Sequence, residues 1–332
     1  MCKRVVLHIG SEKTATTFMQ HFFSVNRDQL LRDGVYYPTS AFSKHAQFSL
    51  VSPLCELDSG RPLEFIPKDI PCDFNFEWTP LIREFNERSD FHTMLLSVEH
   101  FSSRLKHNGL AKLAELLGSL NADHIDIVYY FRRQDSYFQS SYSTYVKSGG
   151  TKSVADMYKS LISNQWFFDS NFLIEQWKKH MPSARYFVRS YELAVRGSGI
   201  LADFAAATGL EFGDAYVTPE LDRNESWSPS MLSFARYVNE HISDRLGSDR
   251  YRLLQSFYLR SGIKKEKVKN ILPLSDRHHI MERYEESNRR LCQLYGLDFD
   301  GLFSLSEDDG YRCPDNIRFS QSELYELILS LL

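Results

Sequence analysis

Eight residues near the start of the chain, Gly10, Ser11, Glu12, Lys13, Thr14, Ala15, Thr16 and Thr17, combine a glycine, a lysine and four hydroxyl side chains. Where such a run opens a helix, it presents backbone N–H groups and the positive end of the helix dipole, and Lys13 adds a full charge. The chemistry this suits is the holding of an anion, most naturally a phosphate. The plain alternative is a threonine N-cap beside a solvated lysine. Two further sets of side chains stand at the ends of apolar runs. Arg132-Arg133 brings guanidinium groups that can fork onto a phosphate through paired N–H bonds, or can form an ordinary surface salt bridge. Glu99-His100 brings a carboxylate and an imidazole, either of which can accept a proton.

The elements that must position these residues follow from apolar periodicity. Residues 4–9 form a β-branched run ending at Gly10 and read as a buried strand, and residues 94–98 and 125–131 read as two more. A fourth strand is expected at 184–188. From Thr16 onward, Phe18 with Phe22 and Met19 with Phe23 make one face of a helix. A second helix is expected after Arg133, through Phe138, Tyr142 and Tyr145, stopping at Gly149-Gly150. Residues 171–180 read as another. Gly34 to Pro38 reads as a turn into a short extended piece. Residues 52–80 carry five prolines and little periodicity, so an irregular excursion is expected there. Beyond Pro219 no strand pattern is seen, and helices are expected at 230–246, 249–261 and 276–295.

Strands alternating with helices predict an α/β fold, a P-loop-like parallel sheet flanked by helices, with a helical C-terminal region. One domain over 1–332 is expected, comprising an α/β core at 1–215 and a mainly helical portion at 216–332. In such sheets ligands bind outside the carboxyl ends of the strands, where the lysine loop, Glu99 and Arg132 all fall.

Composition narrows the function. The chain has 332 residues, 42% hydrophobic and 25% charged, which excludes disorder and fibrous repeats. Lys and Arg number 39 against 43 Asp and Glu, a net charge of −4, so no global basic field draws it to nucleic acid or anionic lipid. The five cysteines, at 2, 55, 72, 292 and 313, are scattered, form no C-x-x-C pair and read as reduced thiols in a cytoplasmic chain. No apolar run is long enough for a membrane span, and the residues before the first strand are too few for a signal peptide. No metal site is suggested by ligand spacing; His278-His279 reads as solvated surface.

The loop is not a complete G-x-x-x-x-G-K-[ST] phosphate loop, because both glycines are missing and Glu12 stands where the second would be. It resembles instead the loop of sulfotransferases that binds the 5′-phosphosulfate of 3′-phosphoadenosine 5′-phosphosulfate (PAPS). That family also carries an Arg at a strand end and a Ser eight residues later, both on the cofactor's 3′-phosphate, and Arg132 with Ser140 has this spacing. Arg133 with Ser141 fits it equally. Segments 96–100, 187–192, 199–204 and 285–290 are similar to pieces of bacterial carbohydrate-type sulfotransferases, and only residues 41–88 match weakly. One departure stands out: the family has Gly where this chain has Ala15. If that position needs φ > 0, alanine costs about 1 kcal/mol.

The resemblance implies a cytoplasmic bacterial enzyme. It would move a sulfuryl group from PAPS to a hydroxyl or amino group of a small molecule, glycan or glycolipid, releasing 3′-phosphoadenosine 5′-phosphate. It assigns cofactor binding to residues 10 to 17, Arg132 and Ser140, and stabilisation of the leaving phosphate to Lys13. Glu99 sits in a context similar to the strand-end glutamate that serves as base in glucosaminyl sulfotransferases; His100 and His45 are the reserves. Against this, Glu99 could simply cap a helix or pair with Arg104. The aromatic residues Trp166, Phe167, Phe168 and Trp177 could line an acceptor groove, but helix-to-sheet core is the expectation. Lys264, Lys265 and Lys267 read as a solvated face. Two rival functions remain: a P-loop kinase or nucleoside triphosphatase, which needs magnesium and the missing glycines, and a non-catalytic nucleotide-binding protein of the same fold, for which Ala15 is the best argument.

Overall fold

The computed structural model describes residues 2–39, 43, 45–164, 166–220, 227–261, 263, 266, 268, 270–305 and 310–331. The chain opens with β1 (Arg4–His8), α1 (Thr16–Val25), α2 (Arg27–Arg32), β2 (Val35–Tyr36) and α3 (Phe48–Ser59). A π-helical turn at Phe74–Trp78 leads to α4 (Thr79–Glu87), β3 (Thr93–Ser97), α5 (His100–Arg104), α6 (His107–Gly118) and β4 (His124–Phe131). Then come α7 (Gln134–Lys147), α8 (Val154–Asn164), α9 (Ser170–His180), β5 (Arg185–Ser190), α10 (Tyr191–Arg196) and α11 (Ile200–Thr208). The remainder is helical: α12 (Pro229–His241), α13 (Ser243–Leu246), α14 (Arg250–Arg260), α15 (Leu274–Arg283), α16 (Glu285–Tyr295), α17 (Phe299–Phe303) and α18 (Gln321–Leu331).

The strands make one parallel sheet in the order β2-β3-β1-β4-β5, flanked by helices, so the fold is α/β as the alternation predicted. In register, Val6 faces Leu95 on one side and Asp126 on the other. β1 is central and buried on both faces, which is why its sequence is a continuous apolar run rather than an alternating one. From β1 the chain leaves towards β2 on one side of the sheet, and from β4 it leaves towards β5 on the other. The β1/β4 boundary is therefore the topological switch point, the place where sheets of this kind bind their ligands.

Two compact units divide the chain. The first comprises residues 1–132, 169–222 and 290–297 and contains the whole sheet. Its core joins Val6, Phe22, Phe23, Leu95, Tyr130 and Phe204. The second comprises 133–168, 223–289 and 298–332 and is built on a helical core that includes Phe138, Tyr142, Met231, Phe234 and Phe257.

The predicted strands lie within one or two residues of the observed ones. The main correction is at 52–80, where only residues 60–73 lack helix. Helix α3 runs through Pro53 because Leu50, Val51 and Leu54 are buried, and that burial outweighs one missing N–H. Pro80 sits in the first turn of α4, where its lack of a donor costs nothing. The expected helices 230–246 and 276–295 are each broken, at Ile242 and at Tyr284.

Candidate active site

The loop after β1 continues beside β4 before it turns, with Ile9 N–H donating to Val128 O (3.0 Å) and Ser11 N–H to Tyr130 O (3.0 Å). Gly10 has φ +55°, and a Cβ there would stand 2.8 Å from Thr16 Cγ2 and 3.2 Å from Glu99 Cβ. Only glycine fits. Lys13 (φ 68°) and Ala15 (φ 60°) are also left-handed, so the position the family gives to glycine does need φ > 0 in this chain. Each non-glycine residue held there costs about 1 kcal/mol.

This winding has a consequence for the donors. Among the described residues, the N–H groups of Glu12, Lys13, Thr14, Ala15, Thr16 and Thr17 make no hydrogen bond to the protein. They form a row of open donors at the start of α1, where the helix dipole is positive. The hydroxyls divide differently. Thr14 is buried and gives its proton to Ser11 O (2.6 Å), and Ser11 Oγ points to Glu12 O (3.3 Å), so both brace the loop. Thr16 is buried and Thr17 exposed.

Arg132, at the end of β4, reaches the loop itself: its Nη1 donates to Lys13 O at 2.8 Å. The guanidinium lies over the Tyr191 ring at 5.1 Å, and its Nε is 3.9 Å from Glu192 Oε1. That Nε is buried and has no hydrogen-bond partner. A buried charged donor without an acceptor is where an anionic ligand would add a bond. Burial, with Arg132 adding to it, pushes the Lys13 pKa down, while Glu12 and Glu99 pull it back up.

Glu12, Glu99, His100 and His45 are each engaged by protein partners. The Glu12 carboxylate turns away from the open donors and braces the loop against α5. It accepts Ser103 Oγ–H at 2.7 Å and lies 3.3 Å from His100 Nδ1 and 3.5 Å from Arg104 Nη2. Burial pushes its pKa up, but the His100, Arg104 and Ser103 interactions bring it down to about 2. Glu12 can therefore offer a ligand its backbone N–H only. Glu99 precedes α5 without a side-chain cap, and Arg104 pairs with Glu12 rather than with it. The Glu99 carboxylate accepts Gln20 Nε2–H at 2.7 Å. His100 is engaged by Glu12 and packed by the Phe48 and Phe65 rings, each 5.2 Å away. His45 is paired with Ser24 Oγ (2.8 Å) and stacked on His21.

The other expected residues fall elsewhere. Ser140 is a half-buried residue of α7 in the second unit, where its carbonyl accepts Thr144 Oγ1–H (3.2 Å). Arg133, also in that unit, forks onto Asp135 (2.6 and 3.1 Å) and donates to Ser304 O (3.0 Å). Phe168 and Trp177 are buried in the cores of the second and first units respectively. His279 meets the Tyr158 hydroxyl at 3.2 Å. Lys264, Lys265 and Lys267 lie outside the described residues. No disulfide joins the five cysteines, all of which lie among the described residues. Among the described residues no helix is long and apolar enough to cross a membrane.

Gln20 was missed by sequence reasoning, although it lies in the second turn of the helix that follows the Lys13 loop. His8 was missed as well. It is buried, meets Ser97 Oγ at 2.8 Å, and is pulled by burial to a pKa of about 3, which leaves it neutral.

No protein-family model matches the chain. An uncharacterized protein of Archaeoglobus fulgidus is 28% identical over 228 residues, 68% of this chain and 60% of that relative's length. The chain thus matches less than two-thirds of that longer protein. Among solved structures, the crystal structure of a sulfotransferase from Alicyclobacillus acidocaldarius aligns with a TM-score of 0.48 at 10% identity, over 91% of this chain and 99% of that one.

Proposed function

We propose that the protein is a sulfotransferase that takes a sulfuryl group from PAPS and delivers it to a hydroxyl or amino group, with a glycan or glycolipid as the acceptor class. One observation carries the reading: at the β1/β4 switch point, the row of open N–H donors stands beside Lys13, which feels the charge of Arg132 and whose carbonyl that guanidinium meets, and the guanidinium keeps a buried, unbonded Nε. This supports a dianionic, phosphate-rich ligand over a neutral one.

PAPS supplies a sulfur already bonded to a good leaving group. The acceptor oxygen or nitrogen forms a bond to that sulfur as the bridging bond to the 5′-phosphate breaks. Negative charge grows on the departing phosphate, and Lys13 with the loop N–H groups stabilises it. The acceptor's proton passes to Glu99, a step worth roughly 10²- to 10⁴-fold in rate. Arg132 takes the 3′-phosphate in this reading.

The test has a binding arm and a chemical arm. The bisphosphate 3′-phosphoadenosine 5′-phosphate should raise the melting temperature without magnesium; at 100 times Kd the gain is about 2.7 kcal/mol. A response to ATP that needs magnesium, with none to the bisphosphate, would instead establish a kinase or triphosphatase. With ³⁵S-labelled PAPS and a glycan panel, Glu99→Gln should lose at least 10²-fold in transfer while still binding the bisphosphate.

A further inference from the structure

Gln20 sits on α1, buried to 3% exposure, in the same helix whose N-terminus carries the phosphate loop. Its neighbours Met19, Phe22 and Phe23 are locked in the core, so the side chain has one place to go. There its amide nitrogen donates twice: to Glu99 Oε2 at 2.7 Å and to Ser97 O at 3.2 Å. Both partners are acceptors only, a carbonyl and a carboxylate. Turning the amide over would set its oxygen against two oxygens, so the network dictates the orientation. Among the described residues no hydrogen bond or ion pair reaches Glu99 Oε1.

We infer that Gln20 is a positioning residue for proton transfer: it claims Oε2 of Glu99, holds the carboxylate as an acceptor, and leaves Oε1 as the atom that takes the acceptor's proton. This rests on the sulfotransferase reading, in which Glu99 is the base. The arrangement follows from the fold. Helix α1 leaves the loop that holds the donor, and its second turn delivers Gln20 to the end of β3, beside β1 in the sheet. One rigid helix thereby fixes the distance between the leaving-group site and the base. The titratable groups that feel the Glu99 charge include Lys13, from the loop after β1, and the buried phenol of Tyr37, beyond β2. Neither donates a hydrogen bond to the carboxylate, so Gln20 alone among the described residues orients it.

Gln20→Met keeps the volume and removes both donors; Gln20→Glu keeps the shape and sets a second carboxyl group against the first. The acid limb of the kcat–pH profile should move up by on the order of one pH unit in Gln20→Met, the worth of one hydrogen bond to a charged group, and further in Gln20→Glu. KM for PAPS should stay within twofold, and the melting temperature reports whether each variant folds. A carbon-13 NMR titration of the Glu99 carboxyl gives the same midpoint without any turnover. An active parent whose acid limb and NMR midpoint do not move in Gln20→Met overturns the inference. A midpoint that rises while the parent transfers sulfate to nothing overturns the sulfotransferase reading instead, and with it the catalytic meaning of the clamp.

Discussion

Two arginines adjacent in the chain have opposite circumstances. Arg133 is saturated: it forks onto Asp135, which also receives Arg277 Nε at 2.9 Å, and its remaining reach ends on the Ser304 carbonyl. Asp135 is fully buried and Arg277 nearly so, and together the three make a closed ionic cluster inside the second unit. Burial raises the Asp135 pKa and the two arginines more than reverse it. Arg132 instead gives one bond to the loop after β1 and keeps a buried Nε unbonded. A cation with a partner on each of its nitrogens holds a fold together. One kept partly unmatched beside a row of open N–H groups has a donor left to offer an anion, at a cost the rest of the fold bears.

The comparison can be broken most severely at Arg277. Arg277→Ala leaves the Asp135 carboxylate buried with half its compensation, and should cost about 3–5 kcal/mol in urea unfolding. A loss below 1 kcal/mol would show that the cluster does not have the structural role drawn above.

The sharpest contrast is between the two neighbours themselves. Arg132→Ala should weaken binding of 3′-phosphoadenosine 5′-phosphate by about 10- to 100-fold in calorimetry, with little change in melting temperature. Arg133→Ala should do the reverse, lowering the melting temperature while leaving affinity near the parent value. If affinity falls with Arg133 rather than Arg132, the phosphate pairing shifts by one residue to Arg133 and Ser141.

Glu12 belongs with the saturated class although it lies in the loop. Its folded pKa of about 2 is below the ordinary 4.5, so the stabilisation it brings is complete above pH 4.5 and disappears as pH falls through 2. Glu12→Gln should therefore cost about 2–3 kcal/mol at pH 7, and the gap to the parent should close between pH 5 and 2. A gap independent of pH would mean that the bracing of the loop against α5 is not ionic.

The smallest expected effect is at Ala15. With φ 60°, Ala15→Gly should stabilise the protein by up to about 1 kcal/mol. A tighter bisphosphate complex in the same variant would indicate that the methyl group also crowds the ligand.

The sequence by itself determined the strand–loop–helix unit at residues 4–25, the strands that flank it and the helical character beyond Pro219. Each depends on local periodicity that few residues can carry in any other way. It also singled out Lys13, Glu99 and Arg132, because charged or hydroxyl residues at the ends of apolar runs stand out without a structure. Helix α3 was not legible, since Pro53 reads locally as a breaker and only the burial of Leu50, Val51 and Leu54 overrides it. Tertiary structure alone decided which of the paired arginines meets the loop, that Glu12 turns away to α5, and that Gln20 finds Glu99. These are contacts between residues 79 to 119 positions apart, or between one side chain and the opposite face of a loop. They are set by which strands lie side by side, and that is a property of the assembled sheet rather than of any segment in it.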